Sequence, residues 1–339
     1  VRTSHATGRG VAEPYHDRIR AAVVEGLDPV TRTELHGRLA LELERDAATP
    51  ELVALHFREA GNRDRAGHHT IAAAENATRA LAFDRAASLY RDALDLVGPR
   101  RELATALGDA LANAGRGPDA AQSYLRAAQL ADATEALELE RRAAHQYFST
   151  GHVIEGQRVG HDVMSRLGLW IPEHPRAAQL VGLARFAALL LRGFRPPNHT
   201  IDNALALRRY DVTNELFQSL ASFEPMHGLY FAASAALRGV DLADPLRRAD
   251  AVGNAAAILT LVRGRSGGAA TRWLRAQREV ATVVNTPASL GVASTYDGVC
   301  ATYIGAWASA TEHLTQAERL LSTCEGPSYR YQLATGQAI

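Results

Sequence analysis

The sequence predicts an all-α protein in which antiparallel helix pairs stack as a superhelix, and three observations carry that expectation. The 339 residues are 47% hydrophobic but only 6% aromatic, and alanine is the most frequent residue. Alanine has the highest helix propensity, and its small side chain lets helices approach closely. Apolar residues recur at i, i+3, i+4 and i+7 through segments of roughly 12–20 residues. Helix start and stop chemistry punctuates these segments at short intervals, which makes successive helices antiparallel neighbours.

Taken in chain order, Gly10–Glu13 is the only candidate for a short strand. Starts follow at Asp28-Pro29, Thr49-Pro50, Gly117-Pro118, Asp244-Pro245 and Thr286-Pro287. In each, a capping-type residue precedes a proline at the first helical position, where a missing amide orphans nothing. Gly61, Gly98, Gly115, Gly151 and Gly193 each follow an apolar-periodic run and predict helix ends. Leu35, Leu39 and Leu43, then Leu52, Leu55 and Ala60, mark the first two apolar stripes. The Pro-rich stretch Trp170–Arg176 and the loop Gly193–Asn203, with Pro196-Pro197, interrupt the periodicity. They predict a hinge over 171–203 between two helical subdomains. Trp170, Trp273 and Trp307 read as helix-packing anchors, and repeats are harder to trace after the hinge.

Composition removes several functions. All 37 basic residues are arginine and 37 acidic residues balance them, with a pI near 7.4, so no bulk charge draws the chain to nucleic acid or an anionic membrane. A Walker A loop, a kinase nucleotide site and a Schiff-base cofactor site each require a lysine, which the sequence lacks. No cofactor is therefore expected in this segment. Cys300 and Cys324 are too few for a disulfide framework or a Cys-x-x-Cys metal site; they suit a reducing cytoplasm, as small buried hydrophobes. The longest apolar stretch, Ala177 to Phe194, is broken by Arg185 and Arg192 and falls short of the ~20 residues a membrane span needs. No signal peptide is visible at the start. The chain opens on Val1 and stops at Ile339 within a helical pattern, as expected of a piece of a longer protein.

A repeat runs through the helical segments. Ala86, Tyr90 and Ala93 form Ala-x3-Tyr-x2-Ala, and Ala120, Tyr124 and Ala127 repeat it 34 residues later. Ala310, Leu314 and Ala317 return to it. The small residues Ala74, Gly108 and Gly298 each stand twelve residues upstream of the leading alanine. Positions i, i+4 and i+7 share a helix face, so small residues let paired helices close and the bulky middle residue fills the groove. Gly156, Gly160 and Val163 form a degenerate copy displaced by 36. The 34-residue spacing resembles the tetratricopeptide repeat, with Leu107-Gly108, Leu111, Ala120, Tyr124 and Ala127 on its motif positions and Ala104 and Asp132 departing from it.

The order of segments adds a second resemblance. Tyr15-His16-Asp17-Arg18-Ile19-Arg20, Leu35-His36-Gly37-Arg38-Leu39-Ala40, Leu55-His56-Phe57-Arg58-Glu59-Ala60-Gly61 and Ala72 to Leu96 run in sequence. This is similar to the stretch after the nucleotide-binding module in large bacterial signal-transduction ATPases of the maltose-activator type. The similarity covers residues 11–170, and the tail, with its His152–Pro172 segment, looks most like members fused to a serine/threonine protein kinase. The resemblance implies a winged-helix remnant over 1–48, tetratricopeptide-like helical repeats over 49–170, the hinge over 171–203 and a second helical-repeat subdomain over 204–339. The ATPase and effector domains have no counterpart in this sequence.

The expected function is thus a non-catalytic protein-interaction and signal-sensing arm, binding a protein or peptide, or the upstream ATPase and kinase domains in cis, on a concave face around Tyr90 and Tyr124. A small inducer is a further expected ligand. Nucleic acid and membrane are not expected partners. The alternative is the arm of a transcriptional regulator or cyclase whose effector lies outside the chain.

Three chemical constellations compete with that reading. Gly264-Arg265-Ser266-Gly267-Gly268 spells a nucleophile elbow, followed by Asp297 and His313 in hydrolase order, with Ile258–Val262 as the strand a Ser266-dependent esterase would need. An α/β-hydrolase also requires a parallel sheet, so an interhelical Gly-Ser turn explains the residues better. Thirteen histidines invite a metal, but His68 and His69 are adjacent, and His16, His36 and His56 fall on separate helices without ligand spacing, a polar seam at most. The arginine pairs at 100–101, 141–142, 208–209 and 247–248 are interleaved with acids, as on solvated helix faces. Asn76-Ala77-Thr78 and Asn198-His199-Thr200 match a glycosylation acceptor by chance in a cytosolic chain.

Overall fold

The computed structural model describes residues 2–4, 11–13, 17–172, 174–193, 200–220, 225–264 and 268–324. The all-α architecture expected from the sequence is the one the chain adopts. Sixteen helices among the described residues follow a small antiparallel hairpin, β1 (Arg2–Ser4) and β2 (Val11–Glu13), in the register Arg2↔Glu13, Thr3↔Ala12, Ser4↔Val11. The candidate strand at Gly10–Glu13 is therefore β2.

The chain divides into two compact units, 1–146 and 147–339. The first holds α1 (Asp17–Glu25), α2 (Pro29–Arg45), α3 (Pro50–Glu59), α4 (Arg63–Arg79), α5 (Phe83–Val97), α6 (Arg101–Asn113) and α7 (Gly117–Ala128), and α8 (Ala133–Ser149) crosses into the second. From α2 to α7 each helix packs on the next. The second unit continues with α9 (Val153–Arg166), α10 (Pro175–Arg192), α11 (Ala204–Leu220), α12 (Pro225–Gly239), α13 (Pro245–Arg263), α14 (Gly268–Val284), α15 (Pro287–Tyr303) and α16 (Trp307–Leu321). Here α12 packs on α10, α11 and α13, and α13 on α14 and α15.

The expected linker 171–203 contains the 18-residue helix α10. Its proline-rich approach starts a helix instead of breaking one: His174 is extended, Pro175 takes the first turn, and Arg192 pairs with Asp241, one of its bonds being 2.8 Å.

Capping follows the sequence closely. Asp28 accepts from the amides of Val30 and Thr31, and Asp244 from that of Arg247. Thr286 and Ser289 form a reciprocal capping box. Gly117 is instead the first helical residue of α7, with Arg116 before it as the cap. Gly61, Gly98, Gly115, Gly151 and Gly193 all stand at φ between 57° and 82°, the left-handed region that ends a helix. After α4 that position belongs to Leu81, at φ 57°, where no glycine marked the end in sequence.

Two expectations about the core are corrected. Leu35, Leu39, Leu52 and Leu55 are each at least 40% exposed, and the stripe is displaced by a residue or two to Ala40, Val53 and Phe57, which pack with Ala66. The inward arc of a helix is set by its neighbours, and α3 turns Val53, Ala54 and Phe57 inward. Trp273 is a buried anchor in α14, but Trp170 and Trp307 are 61% and 65% exposed. Trp170 lies after α9 and Trp307 is the first residue of α16, so neither sits on a packed helix face.

Two of the repeat's helix pairs share one design. A Cβ at Gly108 would lie 2.6 Å from the Tyr124 ring, and one at Gly298 2.6 Å from Leu314. Each glycine thus receives the bulky residue of the facing helix, as the repeat spacing requires. In the degenerate copy the bulk changes sides: Gly156 on α9 leaves room for Phe148 of α8. The pair keeps its filled volume although the motif is inverted.

Two stability predictions follow from these positions. Gly108→Ala should lower the unfolding free energy by about 1–2 kcal/mol in urea titration, because overpacking against Tyr124 outweighs the gain in helix propensity. Leu81→Gly should raise it by about 0.5–1 kcal/mol, by relieving a left-handed leucine that is already exposed.

Candidate functional site

All eleven repeat-packing positions expected from the sequence, Ala86, Tyr90, Ala93, Gly108, Ala120, Tyr124, Ala127, Gly298, Ala310, Leu314 and Ala317, are buried. In the first unit Arg85 pairs with Glu51 and Arg101 with Glu135, each across a separation of 34 residues. Equivalent places in successive repeats therefore touch at the repeat period.

Tyr124 is the centre of the best-defined contact. Its ring covers Gly108, its hydroxyl donates to Asp109 Oδ1 at 2.7 Å, and the Arg142 guanidinium lies 4.3 Å above the ring centre while bonding both Asp109 and the hydroxyl. Burial pushes the Tyr124 phenol far above its ordinary range. At 6% and 2% exposure the Tyr90 and Tyr124 side chains are interior, so they pack helices and offer no contact surface of their own.

The second unit contains a cavity of about 450 Å³ whose walls come from α8, α9, Ile171, Pro172 and Pro175, α11 and α12. Phe148, Leu216 and Phe231 form a buried apolar floor. Gln157, Arg158, His161 and His227 bring polar groups to it, with Arg158 and His161 one turn apart on the exposed side of α9. His227 Nε2 lies 3.3 Å from the Pro172 carbonyl oxygen, which ties α12 to the segment before α10. Gly160 opens the wall, since a Cβ there would already press on Leu216 at 3.2 Å. The volume falls within the range of small-molecule sites.

Comparison with protein-family models and with curated proteins finds no match for this chain. Its candidate sites therefore rest on geometry.

A second cluster lies in the same unit. The half-buried Asp250 accepts hydrogen bonds from the Tyr210 hydroxyl (2.7 Å), Asn214 Nδ2 (2.7 Å) and the Tyr296 hydroxyl (2.8 Å). Burial raises its carboxyl above the ordinary range, and the three donors hold it back. Gly239 and Gly253 seat the two tyrosine rings, each within 2.4 Å of a would-be Cβ. Sequence reading did not find this cluster; the signal was a glycine standing inside the unbroken apolar run of α13.

The other constellations resolve as follows. Ser266 lies outside the described residues; Ile258–Val262 is part of α13, and Asp297 accepts from Nε and Nη2 of Arg278 at 2.7 and 2.6 Å. Among the described residues no three His, Cys, Asp or Glu side chains are placed to hold a metal. His36 and His56 do meet, Nδ1 to Nδ1 at 2.8 Å, while His16 lies outside the described residues. His69 Nε2 is 2.9 Å from Glu44, and the His68 and His69 rings meet edge to face. Of the paired arginines, Arg101, Arg141, Arg142 and Arg247 are engaged by carboxylates and Arg209 by the Leu167 carbonyl. Asn76 accepts from Arg79, and Asn198 lies outside the described residues. Cys300 is buried, its thiol pushed up to about 11 by burial, and Cys324 is half-buried. No described helix is long and apolar enough to cross a membrane.

The histidine pair predicts a pH dependence. Burial and then the neighbouring His36 hold His56 below its ordinary value of 6.5. The unfolded chain then binds the proton more tightly, so stability is full above about pH 6.5 and is lost as the pH falls through the lowered folded value. Chemical denaturation between pH 7.5 and 5 should show that loss, and His56→Gln should flatten it.

Proposed function

We propose that this chain is a non-catalytic protein-interaction and signal-sensing arm of a bacterial signalling ATPase, part of a regulator that also carries a serine/threonine protein kinase, and that it works in the cytoplasm. The observation that carries the reading is the lock of a small residue against a bulky one, met in helix pair α6–α7 as Gly108–Tyr124 and again in α15–α16 as Gly298–Leu314, sixteen residues apart in both. Stacked helix pairs of this kind form extended surfaces that bind proteins and peptides. The hairpin ahead of α1 is of a size that fits the tail of a winged-helix module.

In such an arm the working step is differential binding. A partner or inducer that prefers one state of the upstream ATPase shifts its balance by the difference in affinity, with no chemistry on this chain. The interior placement of Tyr90 and Tyr124 moves partner contacts to other, exposed residues of the helix pairs.

Sequencing the DNA on both sides of this reading frame tests the assignment. The expected result is an in-frame Gly-x4-Gly-Lys-Ser/Thr loop upstream, preceded by kinase motifs. A ribosome-binding site directly before the Val1 codon, with no upstream frame, would overturn it, and a helix-turn-helix encoded after Ile339 would make the chain the arm of a transcriptional regulator.

A further inference from the structure

We propose that the cavity of the second unit binds a small organic anion, a carboxylate carried on an apolar and preferably aromatic body. The inference deepens the sensing role proposed above and rests on it for its biological meaning. Three features select that ligand class.

The first is the floor. Phe148, Leu216 and Phe231 are 1%, 5% and 2% exposed, so an apolar body entering the cavity meets carbon that is already fixed by packing. Phe148 is itself locked, because its ring occupies the space left by Gly156. A purely polar ligand such as inorganic phosphate would leave this floor unused.

The second is the charge at the rim. Arg158 and His161 both line the cavity, and within the described residues neither makes a hydrogen bond or an ion pair. Arg101, Arg141, Arg142, Arg192, Arg247 and Arg278, by contrast, are each engaged by a carboxylate, and none of them lines this cavity. A guanidinium fork with no partner among the described residues is matched in shape and charge by one carboxylate. His161, one turn further along α9, adds a donor on the same side.

The third is what the lining omits. Among the described residues that line the cavity none is acidic. Gln157 and His227 add neutral polar atoms that orient a ligand without reversing its preferred charge.

Isothermal titration of the 339-residue chain with naphthalene-2-carboxylate, and separately with its neutral amide, tests the proposal. The carboxylate should bind at least tenfold more tightly than the amide. The double variant Arg158→Gln/His161→Gln should cut carboxylate affinity about tenfold and leave amide binding unchanged. Both side chains are exposed, so the variant keeps its fold, which circular dichroism would verify. No carboxylate binding, equal affinity for acid and amide, or an unaltered double variant would each overturn the proposal. Binding is measured on the chain by itself. A missing upstream ATPase frame would therefore remove the signalling role and leave the site standing, whereas failed binding would remove the site alone.

Discussion

A tyrosine ring laid over a glycine, with its hydroxyl handed to a carboxylate, recurs at three close helix contacts of this chain. Tyr124 lies over Gly108 and bonds Asp109; Tyr210 lies against Gly239 and Tyr296 against Gly253, and both bond Asp250. The arrangement answers a problem set by composition. A core rich in alanine brings helices close but buries little apolar surface per residue, and aromatics are only 6% of the chain. Each large ring therefore supplies a disproportionate share of the buried area, on the order of 150–250 Å². At these three places the facing residue has no Cβ, which makes room for the ring. Its hydroxyl, carried into the interior, must then find an acceptor, since an unpaired buried polar group costs about 1–3 kcal/mol. Glycine, tyrosine and carboxylate form one unit for that reason, and loss of any member leaves either a clash, a void or an orphaned polar atom.

The fold was legible because its punctuation is local. Asp28, Asp244 and Thr286 cap helices through their own side chains, and five glycines end helices through backbone conformation, so a few adjacent residues decide each boundary. Misreadings arose where the decision is not local. The prolines before α10 resemble a break, yet the helix is fixed at its far end by Arg192 on Asp241, 49 residues away in sequence. The leucines of α2 and α3 look like a core stripe, but which arc faces inward depends on the neighbouring helix. Leu81 holds a left-handed conformation that no residue-type rule assigns to leucine.

The repeat fades along the chain for a related reason. In the first unit Arg85–Glu51 and Arg101–Glu135 span 34 residues each, so the period of the sequence is also the period of contact. In the second unit the corresponding long-range bonds span 36 for Arg247–Asp211, 40 for Tyr210–Asp250 and 46 for Tyr296–Asp250. Helices of unequal length stack without a constant offset, and a fixed-period search loses them. The packing residues stayed visible because small-x3-bulky-x2-small lies within a single helix. The cavity did not, since Phe148, Arg158, Pro172, Leu216 and Phe231 come from five separate segments. Its one trace in the sequence was Gly160, a glycine where the repeat places bulk, and there Leu216 packs close against the bare backbone.

Helix α11 joins the two buried features of the second unit. Leu216, on one arc, meets Gly160 and forms part of the cavity floor. Tyr210 and Asn214, on another arc, are hydrogen-bonded to Asp250 of α13, and Asn214 also accepts from Asn254 at 3.3 Å. Sliding or rolling α11 to close the cavity would stretch hydrogen bonds to a half-buried carboxyl, and bonds to charged groups are worth about 1.5–3 kcal/mol each. The wall that carries Leu216 is consequently held by a polar network that takes no part in forming the cavity. A ligand that fits such a wall loses little affinity to reorganising the protein, because the shape it needs is already stabilised by the fold.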